Sequence, residues 1–385
     1  MHRKEVPISL FGNALRILFV CKRYYTGKDV ILHRFGRLYE LPVKLASLGH
    51  QVTVLCLDYR GSDRQMPFSE QFGSGSVCWF VVSVRDVFDF NIAKLYKALK
   101  AIRPQVVVGS SDIPCLWFAR RLAKRCKIPY AVDLYDNYES FGQAVMPGFR
   151  SLLKLCVRDA GVVIVVSTTL KEKVLSDYMP RGCVVTMNNG VLRSSFCPGD
   201  GVAARRELQL PLNARLIGTA GNLSRMKGLD TVYDAWSTLE GLLDDVYLVL
   251  AGPIEPKFAV PRGKKVIYLG ELLEPQVGQL FRALDVGIVP AHDSEFGRYC
   301  FPQKLFEMVA CGLPVVGADV GAIGQALHAN PEALYIPGDV ESLVGALRSQ
   351  LEYSHLANIK PMEWSELVES IEPAISRMVE GDTGS

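Results

Sequence analysis

Short runs rich in Val, Ile and Leu recur along the chain and alternate with stretches whose apolar residues fall three and four apart. In the first half the runs are LRILFVC (15–21), QVTVLCL (51–57), VCWFVVS (77–83), QVVVGS (105–110), YAVDLY (130–135), GVVIVVS (161–167) and CVVTM (183–187). Helical patterns lie between most of them: RFGRLYELPVKLASLG, NIAKLYKALKAI, CLWFARRLAKRC and FRSLLKLCVRDA. The second half repeats the theme with RLIGTAG (215–221), VYLVLAG (246–252), KVIYLG (265–270), VGIVPA (286–291), PVVGA (314–318) and ALYIPG (333–338). Continuous apolar runs predict strands buried on both faces, as in a parallel sheet covered by helices on either side. The stretch NNGVLRSSFCPGDGVAARREL, rich in Gly, Ser and Pro, breaks the pattern near residue 190. The expected fold class is therefore α/β, with two Rossmann-like doubly wound domains facing a cleft, over 1–190 and 191–362. MEWSELVESIEPAISRMV reads as a terminal helix within 363–385. No repeat of 20–50 residues stands out.

Composition narrows the class. The chain has 385 residues, 49% of them hydrophobic. No stretch reaches about 18 consecutive apolar residues, so no membrane-spanning helix is expected. MHRKEVPISLFGNALRILFV begins basic but lacks a small-residue cleavage site and leads into the first strand, so no signal peptide is expected either. The ten cysteines form no C-x-x-C pair and no Cys/His zinc spacing, which fits reduced core thiols in a cytoplasmic protein. The net charge of +3 is uneven: residues 1–190 hold 27 Lys and Arg against 15 Asp and Glu, a net +12, and the remaining 16 and 25 leave a net −9. Either the basic half faces something anionic, such as a membrane surface, a phosphorylated lipid or a nucleic acid, or the imbalance serves solubility alone.

Two segments carry candidate chemistry. FPQKLFEMVACGLPVV (301–316) predicts a short helix running into a strand, with Pro302 in its first turn, Gly312 at its exit and Pro314 beyond. The helix is apolar almost all round, yet Lys304 sits at its positive end and Glu307 one turn later. An anion at this terminus would account for Lys304. Glu307 has two readings: an acceptor for ribose hydroxyls, or a partner for Lys304 three residues away. The second segment, GNLSRMKGLDTVYDAW, follows the strand RLIGTAG. It brackets Arg225 and Lys227 with Gly221 and Gly228, as a phosphate-binding strand–helix turn does, although a solvated turn with an incidental lysine has the same form. It is not a Walker A loop, because Gly228 stands where Ser or Thr would follow the lysine.

Together GNLSRMKGLD, FPQKLFEMVACGLPVV and the linker NNGV resemble the retaining glycosyltransferases of family 4, which have the GT-B fold. ELPVKLASLGHQVTVL resembles that family's first helix and second strand. YLGELLEPQVGQLFRALDVGIVPA resembles its nucleobase loop with the helix and strand after it. WSELVESIEP resembles the closing helix that crosses back to the first domain. The resemblance covers most of the chain and implies an N-terminal acceptor domain and a C-terminal nucleotide-sugar domain. It further implies that Lys227 binds the donor phosphates, helped by Arg225. The donor ribose falls to Glu307, the diphosphate to the backbone of Gln303, Lys304 and Leu305, and the base to the loop Gly270, Glu271 and Leu272. Gly221 and Asn222 form the glycine turn, and the turn at Thr26 and Gly27 approaches from the first domain. Two positions depart from the family: Asn222 replaces the arginine that usually follows the loop glycine, and Tyr299 replaces a glutamate eight residues before Glu307. Sugar recognition thereby falls to Glu295, Tyr299 or Lys304.

The expected reaction moves a sugar, with retention, from a UDP- or GDP-sugar to an acceptor hydroxyl. Positive groups stabilise the departing diphosphate and domain closure excludes water. No Asp-x-Asp motif or His cluster is present, so no metal or other cofactor is expected to be required. VDLYDNYES ends a strand, which makes Asp136 and Tyr135 candidates for the acceptor side or an ordinary strand end. The basic helices KLYKALKAIR and ARRLAKRCK suit an anionic leaflet or a lipid diphosphate, favouring a lipid-linked or saccharide acceptor in surface polysaccharide or glycolipid assembly. A nucleic-acid partner would have the charge but no groove-reading or base-stacking motif. Rival readings are a non-catalytic relative that binds a nucleotide sugar or a partner protein, and a GT-B nucleotide-sugar epimerase. A nicotinamide dehydrogenase is disfavoured because CKRYYTGKD, not G-x-G-x-x-G, follows the first strand.

Overall fold

The computed structural model describes residues 14–25, 27–61, 67–84, 101–140 and 142–381. The chain divides into two compact units, one of Met1–Asn189 with Trp364–Ser385, the other of Gly190–Glu363. All thirteen runs named above form strands. The helix expected from NIAKLYKALKAI falls almost wholly outside the described residues, as does Thr26.

The first unit holds an eight-stranded sheet in the order Cys183–Thr186, Val162–Val165, Tyr130–Leu134, Val106–Ser110, Arg16–Lys22, Gln51–Asp58, Gly75–Ser83, Phe68–Phe72. Every pairing is parallel except the last, where Phe68–Phe72 runs antiparallel to Gly75–Ser83. Among the described strands, this edge strand and the short hairpin of Tyr24–Tyr25 with Lys28–Asp29 have no counterpart in the sequence reading, nor has the helix Thr168–Tyr178. FSEQF alternates half-buried with exposed positions, as an edge strand facing water on one side does, and so lacks a continuous apolar run.

Local signals explain the helices. Ile113–Cys126 is opened by Asp112, whose carboxylate accepts from the Cys115 amide, and is closed by Lys127 in the left-handed region. The terminal helix Trp364–Glu380 packs on the helix Arg37–Ser47 within the first unit. There Leu15 N–H donates to His50 Nδ1, which leaves Nε2 to face the Glu372 carboxylate at 3.3 Å. Both side chains are buried. The His50 hydrogen bond holds the Glu372 carboxyl below its usual value.

The same unit buries a second charged network. Arg37, 1% exposed, donates to both oxygens of Asp133, which is fully buried, and Ser110 Oγ donates to Asp133 at 2.6 Å. The remaining Arg37 donors reach the Met187 carbonyl at 2.7 Å, the Asn188 carbonyl and Asn189 Oδ1. One arginine thus satisfies a buried carboxylate and fixes the last residues of the unit.

The second unit holds a wholly parallel six-stranded sheet in the order Val266–Tyr268, Val246–Ala251, Arg215–Ala220, Val286–Val289, Val315–Ala318, Leu334–Tyr335. Its four central strands are buried along almost their whole length, with apolar clusters on both faces. Order reverses beside Arg215–Ala220, whose neighbours are the next strand in sequence on one side and Val286–Val289 on the other. Ligands of doubly wound sheets bind at the carboxyl end of such a switch point.

Candidate functional site

Three glycines shape the carboxyl edge of the second sheet. Gly221 (φ 115°) and Gly252 (φ 120°) follow adjacent strands, and a Cβ on Gly252 would stand 2.1 Å from the Gly221 carbonyl oxygen. The Gly252 amide donates to the Gly270 carbonyl at 2.7 Å. Backbone can approach this closely only without side chains.

Past Gly221 the chain exposes Asn222, buries Leu223 and Ser224, and makes a single 3-10 turn over Arg225–Lys227. The Ser224 hydroxyl has no hydrogen-bond partner among the described residues. Gly228 (φ 76°) ends the turn and opens the helix Leu229–Leu242, and a Cβ there would come within 3.0 Å of the Ala291 backbone. Lys227 is half-buried. Arg225 is exposed, and its amide donates to Glu255 Oε2 at 3.0 Å.

The helix Gln303–Ala310 arrives at the same place. It starts one residue later than its proline suggests: Pro302 is the N-cap and makes no side-chain cap bond. Leu305 and Met308 bury its inner face. Lys304 Nζ donates to Thr219 Oγ1 at 3.3 Å, and a Cβ on Gly221 would lie 3.7 Å from the same nitrogen. Burial pushes the Lys304 ammonium down to about 7, and the neighbouring charge of Lys227 adds to the effect. Glu307 and Cys300 pull the other way. Gln303 Nε2 donates both to Glu307 Oε1 at 3.1 Å and to the Gly190 carbonyl at 3.0 Å.

The structure therefore brings together Gly221, Lys227, Lys304, Gln303 and Glu307, all within the second unit. Gly270 (φ 73°) joins them through Gly252, Glu271 is exposed, and Leu272 packs on the core. Leu305 is fully buried, and its amide donates to the Pro302 carbonyl at 2.9 Å, as the Gln303 amide does to Phe301 at 3.0 Å, so those two amides are already engaged. Asp136 and Gly27 belong to the first unit. Asp136 Oδ1 accepts from the Asn137 amide at 2.8 Å, and Gly27 is an exposed turn residue with φ 84°. Sequence reasoning missed Thr219, Ser224 and the clamp made by the Gln303 side chain. A threonine inside the apolar run RLIGTAG, two residues before the glycine, was the available signal. Among the described residues no group of three His, Cys, Asp or Glu is placed to hold a metal ion. No helix among them is long and apolar enough to cross a membrane.

Residues 214–352 match the family model described as Glycosyl transferases group 1, and residues 37–190 match Glycosyl transferase 4-like domain. The chain belongs to the group 1 glycosyltransferases. It is 30% identical over 207 residues to D-inositol 3-phosphate glycosyltransferase of Acidothermus cellulolyticus, covering 47% of this chain and 45% of that one. To TuaC of Bacillus subtilis, assigned to teichuronic acid biosynthesis, it is 24% identical over 275 residues, covering 70% and 66%. The chain spans about half the length of the curated inositol-phosphate relatives it matches, 45% and 43% for two of them. Among solved structures it resembles Anabaena HepE in complex with UDP and glucose (TM-score 0.67, 17% identity, 94% of this chain and 99% of that one). It equally resembles sucrose-phosphate synthase from Thermosynechococcus elongatus (TM-score 0.67, 18% identity, 94% and 97%). These likenesses place the fold among GT-B glycosyltransferases.

Proposed function

We propose that this group 1 glycosyltransferase moves a sugar, with retention, from a nucleotide-diphosphate sugar to an acceptor hydroxyl. The observation that carries the reading is the convergence of Lys227 and Lys304 on the turn at Gly221. Burial and the neighbouring charge of Lys227 disfavour the Lys304 ammonium, an anion bound beside the two would favour it, and the positive end of the Gln303–Ala310 helix adds to the attraction. A diphosphate fits this chemistry. Lys227 and Lys304 then stabilise the charge that grows on the departing diphosphate, with exposed Arg225 free to swing towards it. Glu307, oriented by Gln303, takes the ribose hydroxyls, and Gly270, Glu271 and Leu272 border the base. UDP is the favoured nucleotide because HepE and an Escherichia coli neighbour are described with UDP or UDP-2-fluoro glucose; GDP is the alternative.

In the proposed step the bond from the anomeric carbon to the diphosphate oxygen breaks. The bond to the acceptor oxygen forms on the same face, and the acceptor proton passes to the departing phosphate. With two lysines at the leaving group the step requires no metal ion. The first unit would take the acceptor, saccharide or lipid-linked, with Asp136 as a candidate contact, in polysaccharide or glycolipid assembly at the cytoplasmic side. Nucleic acid has no role in this reading. Incubation with UDP-, GDP- and ADP-sugars, with and without sugar and lipid-phosphate acceptors, tests it by release of the diphosphate and by the anomeric configuration of the product. Asn222 and Tyr299 favour one second reading, a relative that binds the nucleotide sugar without turning it over, which would show binding but no release.

A further inference from the structure

The turn that carries Lys227 is lightly held by its own bonds. It is one turn of 3-10 helix, closed by the Lys227 amide to the Ser224 carbonyl at 3.2 Å, the Gly228 amide to Arg225 at 2.8 Å and the Leu229 amide to Ser224 at 3.4 Å. Such short pieces have poorer hydrogen-bond geometry than an α-helix, so their position is set by what surrounds them. Here the surroundings are the ends of the two strands that flank Arg215–Ala220.

On one side, past Val246–Ala251, the Leu223 amide donates to the Pro253 carbonyl at 2.8 Å and the Glu255 amide returns to the Leu223 carbonyl at 2.9 Å. Glu255 Oε2 then accepts from the Arg225 amide at 3.0 Å, two residues before Lys227. On the other side, past Val286–Val289, Gly228 lies against the Ala291 backbone, and His292 Nε2 stands 3.0 Å from Asp230 Oδ1, three residues after Lys227. That oxygen is shielded from water and no donor is aligned on it as a hydrogen bond, so the nearby imidazole and the positive end of the helix Leu229–Leu242 are what offset its charge. His292 is itself fixed: its carbonyl accepts from the Ser294 amide at 2.9 Å, and Gly297 packs so closely on that oxygen that a Cβ would stand 2.0 Å away.

We infer that Glu255 and His292 are positioning residues, which sling the Lys227 turn between two strand ends and so set the lysine against the departing diphosphate. The inference rests on the diphosphate reading of that turn and adds two side chains that act without touching the ligand. An ammonium reaches a phosphate only over a short distance, so a shift of about 1 Å in the turn costs binding as well as rate.

The test titrates UDP and GDP by calorimetry into the full chain and its variants, each checked by melting temperature. His292→Leu and Glu255→Ala should each bind the better nucleotide about three- to tenfold more weakly than wild type. His292→Gln, whose amide can still donate to Asp230, and Glu255→Gln, whose amide oxygen can still accept from Arg225, should stay within about twofold of wild type. In a Lys227→Ala background the two losses should shrink below about twofold, because the lysine they position is gone. Amide exchange at Lys227 and Gly228 in the ligand-free protein should quicken in both truncations. Losses of full size in the Lys227→Ala background overturn the inference, since the two residues then act by another route. Affinity left unchanged by both truncations, or exchange left unchanged by both, overturns it too and leaves the diphosphate site standing. A wild type that binds neither nucleotide overturns the diphosphate reading and this inference with it.

Discussion

The ammonium of Lys304 donates to the hydroxyl of Thr219 across 3.3 Å, although the two residues stand 85 positions apart. The bond ties the first turn of a short helix to the edge of the central strand and leaves the lysine half-buried beside the charge of Lys227. With its ammonium depressed to about 7, Lys304 should gain a proton when a diphosphate arrives. The anion favours the charged form, so affinity is greatest where Lys304 is already protonated and declines as pH rises above that value. Calorimetry at about pH 8 in buffers of different ionisation enthalpy should show uptake of up to roughly one proton per diphosphate bound. Lys304→Met should bind more weakly and lose the uptake. Folding follows the same linkage: above about 7 the unfolded chain holds a proton that the folded chain does not, so stability rises with pH there, and Lys304→Met should flatten the rise.

Gln303 bridges Glu307 and the Gly190 carbonyl, at 3.1 and 3.0 Å. Gln303→Ala removes both hydrogen bonds and leaves the Glu307 carboxylate without that guide. A loss of about 1–2 kcal/mol in nucleoside diphosphate binding is expected, roughly five- to thirtyfold in Kd. The melting temperature of the free protein should change little, so titration of the variant separates binding from folding.

Arg37 and Asp133 are matched charges at 1% and 0% exposure. Arg37→Leu leaves a buried carboxylate without its partner and should destabilise the first unit by about 3–5 kcal/mol in denaturant unfolding. Arg37→Lys should be costly too, because one ammonium cannot reproduce the fork that reaches Asp133, Met187 and Asn189 together.

The terminal helix should be acid-sensitive. The Glu372 carboxyl is held below its usual value by His50, so its contribution is present above the ordinary glutamate range and is lost as pH falls through the lowered value. Glu372→Gln should remove that part of the acid dependence, read by amide exchange in Trp364–Glu380.

The thirteen strands were legible as apolar runs, which burial on both faces demands of the central ones; Cys183–Thr186 and Val266–Tyr268 keep the run at sheet edges without that burial. The antiparallel edge strand was not, since FSEQF keeps one side in water. The segments of the proposed donor site were visible as glycine-bracketed and proline-headed turns carrying lysines out of pattern. What the chain order could not convey is that Thr219 accepts from Lys304, or that the Gln303 side chain donates to Glu307. Those contacts depend on how far a helix start is brought back over a strand end. His50 and Glu372 were equally hidden, because a lone histidine and one glutamate among several announce no partner 322 positions away.

The most direct test is a thermal-shift series with UDP, GDP and ADP on wild type, Lys227→Ala and Glu307→Ala. A ligand bound by the folded state raises the melting temperature by mass action. At least one nucleoside diphosphate should stabilise the wild type, and both substitutions should abolish or sharply reduce that gain while leaving the unliganded melting temperature close to wild type. A wild type that responds to none of the three, or variants that keep the full shift, would contradict a diphosphate site at Lys227 and Glu307.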